Sequence, residues 1–155
     1  MNRHAIAALI ALSLITACAR SEPEPPPRAD YLAGLHANET PELRALIEHH
    51  AETKDVPVEL VQRVILRESH HRPRARNGPY RGLMQIHPQT ARTMGYSGDP
   101  DGLLDADTNL RYATRYLRGA WMLADGSYDE AVKWYARGYY YEARRRGMLE
   151  ETGLR

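Results

Sequence analysis

The sequence predicts a compact all-α domain, and three observations lead to it. Apolar residues recur at three- and four-residue intervals in several separate stretches. Helix start and stop signals bracket those stretches and leave only short connections between them. Strand signals are weak throughout.

The chain opens on a different kind of segment. Met1 to His4 carries Arg3, and Ala5 to Ile15 is apolar except for Ser13, a run too short to span a bilayer comfortably. Ile15-Thr16-Ala17 then leads into Cys18, the only cysteine. Small residues before a lone cysteine resemble the lipobox of bacterial lipoproteins, with residues 1–17 as signal peptide and Cys18 as the lipidated residue. A cleaved secretory signal with an incidental cysteine, or an uncleaved anchor, is the competing reading. Lipidation leaves no free thiol for a disulfide, and two or more acyl chains anchor firmly where one would be marginal. Ala19, rather than Asp, resembles the pattern sorted to the outer membrane, so the expected location is its periplasmic face. Residues 18–30, with Glu22-Pro23-Glu24-Pro25-Pro26-Pro27, read as a tether reaching about 3 Å per residue. The folded domain is expected over 31–155.

Within it, Thr40-Pro41-Glu42-Leu43 combines a capping hydroxyl with a first-turn proline, and Leu43, Leu46 and Ile47 share a face. A second helix starts near Pro57 and carries Leu60, Val61, Val64 and Ile65 toward Ser69. The Gly- and Pro-bearing segment 73–82 is irregular, with room for a tiny hairpin. A short helix follows from Pro88 to Met94. Asp107 can cap a fourth, with Leu110, Ala113, Leu117, Ala120, Trp121 and Ala124 as its buried stripe, stopping at Asp125-Gly126. Asp129 can cap a fifth that runs to Gly138, and Tyr140 to Arg146 makes a sixth.

Charge points to no nucleic acid. The 21 basic residues include Arg3 of the leader, which leaves 20 against 20 acidic ones, without a basic face. Arg144-Arg145-Arg146 suits a solvated helix end. No metal or other cofactor is expected. The pairs His49-His50 and His70-His71 each point to two sides of a helix and lack a third ligand. The acidic segment from Asp99 to Asp107 has Leu103 where a calcium loop needs oxygen.

Glu68 breaks the pattern. It lies one turn beyond Val64 and Ile65, on the inward face and near a helix C-terminus. Burial and the negative helix end both disfavour its ionised form, as a general acid near neutrality requires. An ordinary ion pair with Arg72, one turn later, is the competing reading.

Glu68-Ser69 is followed by a Gly-bearing loop, by Gly82-Leu83-Met84-Gln85-Ile86, then by Pro88 and Thr90-Ala91. In this order the residues resemble the soluble lytic transglycosylase family, relatives of goose-type lysozyme. The likeness continues at Asn109, Tyr116-Leu117, Tyr135 and Gly138, covering roughly residues 43–140. It implies a lysozyme-like fold and a peptidoglycan lytic transglycosylase. Glu68 would be the acid/base that opens the bond between N-acetylmuramic acid and N-acetylglucosamine, leaving a 1,6-anhydro end. It also implies substrate-binding roles for Ser69, Asn77, Gly82, Met84, Gln85 and Tyr135. There are departures: the Glu68–Gln85 loop is about one residue short, and Ala136-Arg137 stand where the family has Asn-Ala. Asn77 is the nearest counterpart of a loop serine that contacts the N-acetyl group.

Two carboxylates serve most glycosidases, and Asp99, Asp101 and Asp105 are the only nearby candidates for a second. A hydrolase of the same fold and a non-catalytic glycan-binding lipoprotein are the alternatives. Partners are glycan strands, the membrane through the lipid, and, in a specialised role, a secretion apparatus. Trp134 and Tyr139 to Tyr141 suit either sugar stacking or packing.

Overall fold

Six α-helices, one two-stranded hairpin and one 3-10 turn make up the described part, residues 34–155, of the computed structural model. The signal peptide, Cys18, the tether and the domain start expected at Tyr31 lie outside the described residues. The helices are α1 (Pro41–Thr53), α2 (Val58–Glu68), α3 (Pro88–Thr93), α4 (Ala106–Met122), α5 (Tyr128–Arg137) and α6 (Tyr140–Arg146). Strands β1 (Arg76–Asn77) and β2 (Tyr80–Arg81) pair antiparallel, with Asn77 opposite Tyr80, so the irregular loop does hold a hairpin. No helix among the described residues is long and apolar enough to cross a membrane.

The capping chemistry explains most boundaries. Thr40 Oγ1 accepts from the Leu43 amide at 3.2 Å and Pro41 opens α1. Two expected caps are corrected. Asp105, not Asp107, caps α4 by accepting from the Thr108 amide at 2.8 Å. Asp107 already lies inside the helix and pairs with His50 at 2.8 Å and Arg111 at 2.9 Å. Ser127, not Asp129, caps α5 through the Glu130 amide; Asp129 reaches Arg63 instead. Helix α4 also stops earlier, at Met122, and Leu123 to Gly126 form the turn. The segment read as an acidic loop contains a 3-10 turn, Pro100–Leu104, that buries Leu103 and Leu104.

Helix α4 is the axis of the core, touching α1, α3, α5 and the 3-10 turn. Leu110, Ala113, Leu117 and Ala120 are fully buried, and each such leucine contributes about 2 kcal/mol. Gly119 lets Tyr139 pack there: a Cβ would overlap its hydroxyl, which donates to the Tyr116 carbonyl at 2.7 Å. Helix α2 lies against α1 and α5 and buries Leu60, Val61, Val64 and Ile65 completely.

Candidate active site

Glu68 is the last residue of α2, at the point where the buried face meets a cleft of about 730 Å³. Its side chain is 24% exposed. The competing reading, an ion pair with Arg72, does not form: Arg72 Nε turns back to the Ser69 carbonyl at 2.9 Å. The nearest cation is Arg67, whose Nε is 3.6 Å from Glu68 Oε1, and no hydrogen bond holds the carboxyl among the described residues. Burial therefore dominates and raises its pKa, against a weaker lowering by Arg67.

Asn77, Gln85 and Tyr135 share the cleft lining with Glu68. Asn77 is exposed on β1, facing the cleft across from α5 residues. Gln85 adopts a left-handed φ of 48° and donates from Nε2 to the carbonyls of Gly82 at 2.8 Å and Ala75 at 3.1 Å. Its Oε1 is buried without a partner among the described residues, a vacancy that costs about 1–3 kcal/mol unless a donor fills it. The buried Tyr135 hydroxyl donates to the Met84 carbonyl at 2.8 Å. Burial first, then the charge of nearby Glu68, pushes its pKa well up, so it stays protonated.

Three expected sugar contacts lie elsewhere. Ser69 is buried and closes the end of α2, its hydroxyl accepting from the Arg72 amide at 3.3 Å. Met84 is fully buried; its amide donates to Asn109 Oδ1 at 2.9 Å, and its sulfur lies 3.7 Å from the Thr114 hydroxyl. Gly82, at φ 77°, is required for another reason than close approach of a sugar: a Cβ there would overlap the Asn109 side chain and the Leu103 carbonyl. Asn109 is thus the hub behind the cleft. Fully buried, it also donates to the carbonyls of Arg81 and Leu103, each at 2.8 Å, tying the hairpin, the 82–85 turn and the 3-10 turn to α4.

Tyr80 and His87 also line the cleft, without a sequence signal. So do Tyr116 and Arg137, which the family pattern marks without a role, and Tyr140, open in the sequence between stacking and packing. Tyr80 and His87 meet edge to face at 5.6 Å. Tyr116 stacks on Tyr139 at 4.7 Å, and burial lifts its pKa to about 12. The tyrosine run splits, with Tyr139 buried, Tyr140 47% exposed in the cleft wall and Tyr141 81% exposed outside it. A one-residue step along a helix start changes environment completely, which no local pattern announces.

None of the candidate second carboxylates reaches the cleft. Asp101 clamps Arg76 at 2.8 Å and Arg81 at 3.4 Å, Asp105 caps α4, and Asp99 is exposed beyond the lining residues. Among the described lining residues Glu68 carries the only carboxyl group.

The Transglycosylase SLT domain family matches residues 45–147. The chain belongs to the SLT transglycosylase family. Neither a curated protein nor a solved structure matches the chain. Membership of the SLT family assigns a lytic-transglycosylase-type activity and peptidoglycan glycan strands as the material bound. The matched span of this SLT domain holds α2, the hairpin, the 82–85 turn and α3 to α6, and with them every lining residue except Leu154.

As to metals, the expectation that His71 lacks further ligands is corrected. His36, Glu39 and His71 bring ligand atoms within 4.8 Å of one another. The Glu39 oxygens are already engaged. Glu39 accepts from Arg44 at 2.7 and 2.8 Å, Gln62 at 2.8 Å and the His36 amide at 2.9 Å. The two imidazoles stack nearly parallel at 4.7 Å.

Proposed function

We propose that this protein is a peptidoglycan lytic transglycosylase in which Glu68 serves as acid and then as base. The observation that carries the reading is a single half-buried carboxyl group, with raised pKa, in a cleft without a second carboxylate among its described residues. Protonated Glu68 gives its proton to the oxygen linking C1 of N-acetylmuramic acid to N-acetylglucosamine, and that C1–O bond breaks. The muramyl N-acetyl oxygen bonds to C1 in its place. The Glu68 carboxylate then takes the proton of the 6-hydroxyl of the same sugar. O6 bonds to C1, the acetamido oxygen leaves, and Glu68 ends protonated as it began. Water is neither consumed nor activated, so the missing second carboxylate is not needed. The 6-hydroxyl competes well because it is tethered to the reacting ring, an advantage of several kcal/mol.

Tyr135 and Asn109 act as positioning residues through the Met84 backbone, Gln85 braces the same turn through the Gly82 and Ala75 carbonyls, and Asn77 offers its amide to the sugar's N-acetyl group. Cys18 carries the lipid that holds the domain at the periplasmic face of the outer membrane; a Cys18→Ser protein that matures normally and stays soluble would remove that part. The chemistry is tested by mass spectrometry of products from purified sacculi. The reading expects muropeptides one water lighter than lysozyme products; reducing N-acetylmuramic acid ends as the main product would make the enzyme a hydrolase.

A further inference from the structure

We propose that Arg137 and Trp134 form a carboxylate-binding subsite on the rim of the cleft, selecting glycan strands that bear acidic groups. The inference rests on the reading of the cleft as a glycan site. Arg137 ends α5 and stands in the stretch after Tyr135 where the sequence departs from its family pattern. Its guanidinium carbon sits over the Trp134 ring, 3.8 Å from the centroid, a contact that holds the fork in place on an exposed residue. Neither a hydrogen bond nor an ion pair occupies that fork among the described residues. The charges around it are sorted. The lining includes two arginines, Arg67 and Arg137, against one acid, Glu68, although the whole chain is close to neutral at +1 with its histidines neutral. A carboxylate takes two parallel N–H bonds from a planar fork, a match that a single sugar hydroxyl cannot make. Peptidoglycan presents such groups on its stem peptides, and the lactyl group of muramic acid adds one wherever a stem peptide has been removed.

The test uses the full protein on one preparation of sacculi in three forms. One is native, one has its carboxyl groups converted to neutral amides by carbodiimide and ammonia, and one is stripped of stem peptides by an amidase. Arg137→Gln should raise KM on native sacculi about tenfold with kcat little changed, the size of one lost charge-assisted bond, and should leave the amidated form unaffected. Arg137→Lys should recover only part, because a point charge lacks the fork. A KM effect that vanishes after stripping assigns the stem-peptide carboxylates alone, and one that persists shows that the fork also takes the lactyl carboxylate that the amidase sets free. Equal effects on native and amidated sacculi, or none on either, would overturn the subsite. Binding of native and amidated strands by Glu68→Gln, with and without Arg137→Gln, needs no chemistry. Arg137-dependent binding of native strands alone, in a protein whose parent cleaves nothing, would defeat the catalytic reading and leave the subsite standing. Cleavage indifferent to Arg137 would do the reverse.

Discussion

Two glutamates at opposite ends of one structural block meet opposite fates. Glu39, just before α1, is 7% exposed and receives hydrogen bonds from Arg44, Gln62 and the His36 amide. Burial alone would raise its pKa, yet these donors outweigh the desolvation and hold it at about 2. Glu68, at the end of α2, is less buried but accepts no hydrogen bond among the described residues, so desolvation wins and its pKa rises. Burial sets the scale of the effect and the donors decide its sign. The N-terminal region uses a carboxylate as a structural anchor, and the cleft keeps one uncommitted for chemistry.

The comparison can be broken by removing each carboxylate in turn. Glu68→Gln should reduce cleavage of sacculi by about 10³-fold, with melting temperature equal to or above wild type; turbidity loss at an undiminished rate would end its role as acid. Glu39→Ala should do the opposite. It removes the acceptor that Arg44, Gln62 and the His36 amide share and costs about 3 kcal/mol in urea unfolding, while turnover per folded molecule stays near wild type.

The pH dependence sharpens the contrast, and the signs differ. Glu39 has a lowered folded pKa, so its stabilisation is complete above the ordinary carboxylate value of 4.5 and is lost as pH falls toward about 2. Glu68 has a raised folded pKa, so its ionisation costs stability at neutral pH, and that cost disappears as pH falls below 4.5. Urea midpoints at pH 7 and pH 3 should show the advantage of Glu68→Gln shrinking on acidification, together with the penalty of Glu39→Gln. The smallest effect concerns the caps. Asp105→Ala should cost about 1 kcal/mol, and Asp129→Ala, whose partner is an exposed arginine, less than about 0.5 kcal/mol.

Much of this was legible in the sequence, for physical reasons that also mark where reading fails. The helices show because burial of one face imposes a 3.6-residue period, and Glu68 shows because it interrupts that period with a carboxylate. Cap identity is ambiguous wherever two acceptors stand close together, as Asp105 and Asp107 do. Met84 and Gly82 were read as groove residues because a motif reports their order, not their direction. Asn109, 25 residues downstream of Met84, turns that segment inward, and no local pattern encodes its reach. Arg137 was visible as a departure, but its seat on Trp134 and its place on the cleft rim are properties of the folded chain.

The central claim is that the cleft leaves Glu68 protonatable where the rest of the molecule would ionise it. Carbon-13 NMR titration of the side-chain carboxyls in the folded protein measures this directly, with Glu68→Gln and Glu39→Gln assigning the two resonances. The account predicts a Glu68 midpoint above 4.5 and a Glu39 midpoint near 2. A Glu68 midpoint at or below that of an ordinary glutamate would contradict it.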